Sequence, residues 1–237
     1  MAKKILITGA SSGIGEQTAR YLSEQGYETI LAARNKEKLY RMADELSSPT
    51  NVFPIDLTQL KKIKDIFLFC QEKSIVLDGL VHCAGLARHN SVKMNDIEDM
   101  QATFRLNYEA FVELVKYFSE RRYSAKGSSI VAISSLASVT CRATALNYSS
   151  SKAAVNAAVK VMAKELGRRS IRVNSILPGY VITPMTAGDR LTNDVKNTQP
   201  FGFIEPEYIA YMIEFLLSDK AKFITGANIP ISGGMSC

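Results

Sequence analysis

The chain has 237 residues, 46% hydrophobic and 22% charged, with a formal net charge of +6. This length holds a sizeable core, no block of like charges argues for nucleic-acid binding, and no apolar run approaches a membrane span. Cys70, Cys83, Cys141 and Cys237 lie far apart with no C-x-x-C or Cys/His cluster, which argues against a disulfide framework and a metal site. Met1-Ala-Lys-Lys leads directly into Ile5-Leu-Ile7, too short an apolar stretch for a signal peptide. Cytoplasmic residence is therefore the default expectation.

In chain order, short β-rich runs alternate with helical patterns. Strands are predicted at Lys4–Thr8, Thr29–Ala33, Val52–Ile55, Leu77–Cys83, Ser129–Ser134, Arg172–Ile176 and Asn228–Ile231. Their apolar runs are nearly continuous, as strands buried on both faces require. Helices are predicted at Ile14–Gln25, Lys36–Leu46, Leu60–Lys73, Asp96–Arg121, Tyr148–Gly167 and Glu207–Leu217. Leu60, Ile63, Phe67 and Cys70 recur at helical spacing, a core-facing stripe. The alternation predicts one doubly wound α/β domain, about seven mostly parallel strands with helices on both faces. Residues 183–205, with Pro184, Gly188, Pro200 and Gly202, lack periodicity and read as a functional loop or lid.

Thr8-Gly-Ala-Ser-Ser-Gly-Ile-Gly15 joins the first strand to the first helix. Glycines there permit a tight turn and close approach of a pyrophosphate to backbone N–H groups, with the helix N-terminus adding positive charge. The spacing G-x-x-x-G-x-G differs from the usual dinucleotide fingerprint, and a bare strand–helix connector is the competing reading. At the end of the second strand, where a carboxylate would accept from the ribose of NAD, the chain has Ala33-Arg34-Asn35. Arg34 suits a phosphate through its planar fork of donors, which predicts NADP(H); a solvated helix-start arginine is the alternative. Asp56-Leu57 follows the third strand and is placed either to meet the adenine edge or to cap a helix.

Tyr148 precedes Lys152 by four residues, and Ser135 lies thirteen residues upstream of the tyrosine. On a helix, the phenol and the ammonium share one face. A cation within about 4–6 Å lowers a tyrosine from its ordinary pKa of about 10 and fits it for proton exchange with an alcohol or ketone oxygen. Alone, the pair is equally a surface contact.

Together, Thr8-Gly-x-x-x-Gly-Ile-Gly15, Asp56, Ala84-Gly85, Asn107, Ser135, Tyr148-x-x-x-Lys152 and Pro178-Gly179 followed by Thr183 resemble the short-chain dehydrogenase/reductase family over essentially the whole chain. The nearest-looking members are 3-oxoacyl-carrier-protein, carbonyl and hydroxysteroid reductases. The resemblance implies a Rossmann-type domain transferring hydride between NADP(H) and a carbonyl or secondary alcohol. Tyr148 would be the acid–base catalyst, Lys152 would tune it and hold the nicotinamide ribose, and Ser135 rather than Ser134 would orient the substrate oxygen. Asn107 would kink its helix and hold a water linking Lys152 to solvent; a helix-interior asparagine bonded to backbone is the competing reading. Cofactor contacts would come from Gly9, Ser11, Ser12, Gly13, Ile14, Gly15, Arg34, Asp56, Leu57, Cys83, Ala84, Gly85, Tyr148, Lys152, Pro178, Gly179, Val181 and Thr183.

One departure stands out. A common Asn-Asn-Ala-Gly motif is here His82-Cys83-Ala84-Gly85, which puts in doubt the hydrogen bond that usually ties neighbouring strands. His82 and Cys83, adjacent on a strand, point to opposite faces and are assigned no chemistry. Substrate choice is expected from Leu136, Ala137, Thr140, Cys141, Arg142, Leu146, Tyr180 and the 183–205 segment. Arg88 and Arg142 are candidates to meet an acidic substrate or a carrier-protein phosphopantetheine, the arm of an acyl-carrier thioester, with a solvated surface residue as the favoured reading of each. The helices at 96–121 and 148–167 carry more than one apolar face, and in the family they form a dimer interface, so a homodimer or homotetramer is expected. Rival readings are NAD-dependent alcohol oxidation, against which Arg34 argues, and an NADP(H)-binding sensor or scaffold without turnover, against which the retained Asn107, Ser135, Tyr148 and Lys152 argue.

Overall fold

The computed structural model describes residues 2–187 and 198–235. Seven parallel strands form one sheet in the order β3-β2-β1-β4-β5-β6-β7. They are β1 (Lys4–Thr8), β2 (Glu28–Ala33), β3 (Thr50–Pro54), β4 (Leu77–His82), β5 (Ser124–Ile133), β6 (Arg172–Pro178) and β7 (Asn228–Ile231). The helices are α1 (Gly13–Glu24), α2 (Lys36–Glu45), α3 (Ile63–Glu72), α4 (Ile97–Phe104), α5 (Ala110–Phe118), the short α6 (Ala137–Thr140), α7 (Leu146–Leu166) and α8 (Pro206–Leu217). This is the doubly wound α/β arrangement read from the sequence.

Strand alternation explains how a continuous apolar run serves two cores. Leu6 packs with Phe67, Phe111 and Val155 on the face covered by α3, α5 and α7. Its neighbours Ile5 and Ile7 pack with Leu22, Met42 and Ile213 on the face covered by α1, α2 and α8. Successive side chains leave opposite sides of the sheet, and both sides are roofed by helices. Each fully buried aliphatic or aromatic side chain contributes roughly 1.5–3 kcal/mol.

Several element bounds differ from expectation for local reasons. β5 starts five residues early, at Ser124. Its polar opening, Ser-Ala-Lys-Gly-Ser, carries no strand signal, and Gly127 adopts φ +85 beside a register shift between β4 and β5. The expected helix 96–121 is broken by a π turn at Arg105–Glu109 that separates α4 from α5. Leu60–Lys62 is a 3-10 turn leading into α3. Within the expected loop 183–205, residues 188–197 lie outside the described residues. The rest is tied down: Val181 bridges Ile204, and the buried Gln199 accepts from the Tyr180 N–H at 2.9 Å and donates to the Tyr180 carbonyl at 3.2 Å.

β1 pairs with β2 on one side and β4 on the other, so the chain winds in opposite directions from this point. A crevice opens at the C-terminal ends of strands where such a reversal occurs.

Candidate functional site

A cavity of about 650 Å³ lies along that edge, reached by the ends of β1 through β6. Gly9, Ser11, Ser12, Gly13, Ile14, Gly15, Arg34, Asp56, Leu57, Cys83, Ala84, Gly85, Tyr148, Lys152, Pro178, Gly179, Val181 and Thr183 all line it, as does Ser135. Asn107 lies beneath the lining, fully buried. Thus the sequence positions converge, although they come from seven separate stretches of chain.

The glycine turn is pressed against the start of the next crossover. Gly9 adopts φ +68, and a Cβ there would sit 2.6 Å from the Ala84 nitrogen. A Cβ on Gly15 would collide with the Gly9 carbonyl oxygen. Ser12 precedes α1 without a side-chain cap, so no side chain of the turn occupies the first-turn amides beside the cleft.

Arg34 follows β2 directly and is exposed. It forms no ion pair with a described residue. Its neighbour Asn35 caps α2, accepting from the Lys38 N–H at 2.9 Å. The helix-cap reading of Asp56 is corrected: its Oδ1 accepts from the N–H and hydroxyl of Thr58, at 3.0 and 2.8 Å, closing a turn. The following 3-10 turn starts later, after Gln59.

Tyr148 and Lys152 sit one turn apart on α7, with Lys152 Nζ 5.9 Å from the phenol ring centroid. Lys152 is buried, and its ammonium donates to the Ile133 carbonyl at 2.7 Å. Burial pushes its pKa down to about 8, opposed by Cys83. Burial likewise pushes the Tyr148 phenol up, offset in part by a hydrogen bond with Ser135. The Lys152 charge predicts a phenol below its ordinary value. Here burial, the larger cause, and the Ser135 hydrogen bond act on the phenol, and it stands above its ordinary value.

The two candidate serines separate cleanly. Ser134 is buried and donates to the Lys152 carbonyl at 3.1 Å. Ser135 is half-buried beside Tyr148, its Oγ accepting from the Ala137 N–H at 3.1 Å. Asn107 occupies the middle of the π turn. Its Oδ1 accepts from the Leu86 N–H at 2.8 Å, and its Nδ2 donates to the Leu86 carbonyl and to Ser151 Oγ, both at 2.9 Å. A π turn inserts an extra residue into the helix, and here that turn carries Asn107 into contact with the loop after β4. Gly85 completes the cluster: a Cβ there would lie 3.3 Å from Lys152 Nζ and 3.5 Å from Asn107 Oδ1.

His82 and Cys83 face opposite sides of the sheet. His82 stacks on Phe111 in one core, while Cys83 packs against the other. His82 Nδ1 lies 2.9 Å from Thr8 Oγ1, so a β4–β1 side-chain tie is made by the histidine instead of by Cys83. Burial holds the Cys83 thiol up at about 12, far from a reactive thiolate. Among the described residues no His/Cys/Asp/Glu group is arranged to hold a metal.

Sequence reading missed several residues of this site. Ser151 lies inside the Tyr-x-x-x-Lys motif, donates to the Tyr148 carbonyl at 2.8 Å and receives Asn107; a serine three residues along a helix was the available signal. Thr186 donates to the Val181 carbonyl at 2.7 Å and accepts from the Thr183 N–H at 3.1 Å, shaping the loop that carries Thr183. Gln199 reaches the site only through the tertiary fold and carries no signal.

A family model described as enoyl-(acyl carrier protein) reductase matches residues 9–236. A 3-oxoacyl-acyl-carrier-protein reductase of Thermotoga maritima is 32% identical over 241 residues, covering 98% of this chain and 97% of that protein. A 7alpha-hydroxysteroid dehydrogenase of Bacteroides fragilis is 31% identical over 247 residues, covering 99% and 94%. A solved short-chain type dehydrogenase/reductase from Mycobacterium ulcerans superposes with a TM-score of 0.92 at 31% identity, covering 98% of this chain and 89% of that one.

Proposed function

The chain belongs to the short-chain dehydrogenase/reductase family, and from that premise we propose that it is an NADP(H)-dependent oxidoreductase interconverting a carbonyl and a secondary alcohol. The observation that carries this reading is the meeting of Ser135, Tyr148 and Lys152 with the glycine turn in one cleft. The cradle fits a dinucleotide. Side chains are excluded at Gly9 and Gly15, which leaves backbone amides of the first turn of α1 to hold a pyrophosphate. Arg34, exposed and unpaired by any described acid, would take the 2′-phosphate. Asp56 and Leu57 flank the adenine end; Pro178, Gly179, Val181 and Thr183 flank the nicotinamide end.

Bound there, the nicotinamide supplies or accepts the hydride. The protein's residues manage the proton and the developing charge. Ser135 Oγ and the Tyr148 hydroxyl donate to the substrate oxygen as it gains negative charge. Tyr148 then passes its proton to that oxygen, and the resulting phenolate is faced by the Lys152 ammonium. A phenol held above its ordinary pKa stays protonated at neutral pH, which suits reduction. The close approach of Gly85 to Lys152 Nζ and Asn107 Oδ1 leaves little room for a side chain between the cleft and the ammonium.

Relatives support the substrate class: the names of two of them refer to an oxoacyl thioester and a hydroxysteroid. The deciding experiment is NADPH oxidation, and NADP reduction in reverse, over ketones, 3-oxoacyl thioesters, enoyl thioesters and hydroxysteroids. Turnover of ketones or oxoacyl thioesters supports the reading. Tight NADPH binding without turnover of any of them rejects it in favour of a sensor or scaffold, and turnover of enoyl thioesters alone moves the chemistry to a carbon–carbon double bond.

Two further parts belong to the proposal. A homodimer or two-fold tetramer is supported by exposed apolar groups on α7, with Val161 55% exposed; light scattering showing only monomer would reject it. Cytoplasmic residence is supported by the free thiols Cys70, Cys83 and Cys141. No helix among the described residues is long and apolar enough to cross a membrane.

A further inference from the structure

The chain leaves the cleft after Ser135 and returns to it at Tyr148. Between them it makes α6 and a sharp loop in which Cys141 has φ +51 and Thr144 φ +66. Left-handed backbone at a non-glycine residue is strained by about 1–3 kcal/mol and persists only where surrounding contacts enforce it. Here the Asn90 N–H donates to the Thr144 carbonyl at 2.9 Å and the Ala145 N–H to the Arg142 carbonyl at 3.2 Å. The two strained residues bracket Arg142.

Its guanidinium lies 5.0 Å from the ring centroid of Tyr180. Tyr180 is itself fixed, its backbone clamped on both sides by Gln199 and its ring set edge-on to Phe203 at 6.4 Å. Both neighbours of Tyr180, Gly179 and Val181, line the main cleft. Arg142 therefore joins the lip that carries Ser135 and Tyr148 to the lip that follows β6.

No described acid compensates the charge on this arginine. Arg88, the other arginine near the mouth, is ion-paired with Asp99. Among the described residues Arg142 meets no carboxylate, and its side chain donates no hydrogen bond. A guanidinium held over an aromatic ring is attracted by the ring's π face and spends none of its N–H donors on that contact. Arg142 also lines a smaller hollow of about 290 Å³ with Val92, Leu146 and Ser149. Ser149 is 6% exposed, and its hydroxyl has no hydrogen-bond partner among the described residues.

We propose that Arg142 is a specificity residue that receives an oxyanion of the substrate, a carboxylate or a phosphate, beside the Tyr180 lip that borders the cleft. This rests on the oxidoreductase reading above. The test compares wild type, Arg142→Gln and Arg142→Lys on three carbonyl probes with NADPH: neutral ethyl acetoacetate, acetoacetate and acetoacetyl-coenzyme A. Arg142→Gln is expected to raise KM about tenfold or more for a charged probe with kcat little changed, as loss of a charge-assisted hydrogen bond implies. It should leave both constants for the neutral ester unchanged, and Arg142→Lys should recover part of the loss. A response to acetoacetate identifies a carboxylate reader, and a response confined to the thioester identifies a phosphate reader. Equal changes on all three probes, or none, would overturn the proposal while leaving the oxidoreductase reading intact. Failure of the wild type on every probe would remove this proposal alone, because the oxidoreductase reading stands or falls on the wider substrate panel above.

Discussion

Thr8 and His82 join β1 to β4 side chain to side chain, Oγ1 to Nδ1 at 2.9 Å, at the point where the winding of the sheet reverses. The imidazole is buried against Phe111, and its Nε2 has no partner among the described residues. Burial lowers its pKa to about 3, with the Lys152 charge acting in the same direction. In the unfolded chain the same ring titrates near 6.5. Above that pH both states are neutral; as pH falls from about 6.5 toward 3 the unfolded state takes up a proton that the folded state refuses, so stability is lost. His82→Asn should retain much of the tie to Thr8 and flatten the acid limb by an amount on the order of a few kcal/mol. Urea unfolding at pH 7 and pH 4.5 measures it, and an identical loss in the two proteins would contradict it.

Tyr148→Phe removes one hydroxyl from the cleft and leaves the glycine turn untouched. Carbonyl reduction should fall by about a hundred- to ten-thousand-fold. The fluorescence of bound NADPH should titrate as in the wild type. Retained turnover would assign the proton to another group.

Lys152 sets an alkaline limit. Its ammonium, lowered to about 8 by burial, is lost as pH rises through that value, and with it the positive charge facing the Tyr148 phenolate. The kcat/KM for reduction should therefore decline above about pH 8, approaching tenfold per pH unit. Stability moves in the opposite direction: between about 8 and the unfolded value near 10.4 the folded state sheds the proton first, which relieves the buried charge and strengthens the fold. A rate profile flat to pH 9.5 would show that the cation is not needed.

Arg34→Asp replaces a free guanidinium with an acceptor at the end of β2. The KM for NADPH should rise by about tenfold or more, and that for NADH should fall, because a carboxylate repels the 2′-phosphate and accepts from a 2′-hydroxyl. Steady-state kinetics with each cofactor decide the point; an unchanged ratio would mean that Arg34 is only solvated.

The sheet was legible because burial on both faces leaves continuous apolar runs such as Ile5-Leu-Ile7, and because a glycine turn and a Tyr-x-x-x-Lys pair have fixed spacings. The convergence of these stretches on one cleft follows from the winding order. What stayed hidden depends on contacts between distant residues. The π turn at Arg105–Glu109 leaves no mark in helical periodicity, since Leu106 and Ala110 remain at ordinary helical spacing. Gln199 is a single polar residue in an irregular stretch. The direction of the Tyr148 shift could not be read, because neighbouring charge is visible in sequence and the exclusion of water is not.

The loop after β6 is anchored by its last paired strand: the Gly179 N–H donates to the Ile231 carbonyl at 2.8 Å, and Pro178 stands in register with Ile231. β7 is also the last strand in chain order. On a ribosome, the glycine turn at Gly9 would emerge more than two hundred residues before the strand that positions the opposite wall. A half-made chain thus has a completed glycine turn but lacks the anchored wall of the cleft. Until synthesis reaches β7, the loop after β6 lacks that anchor.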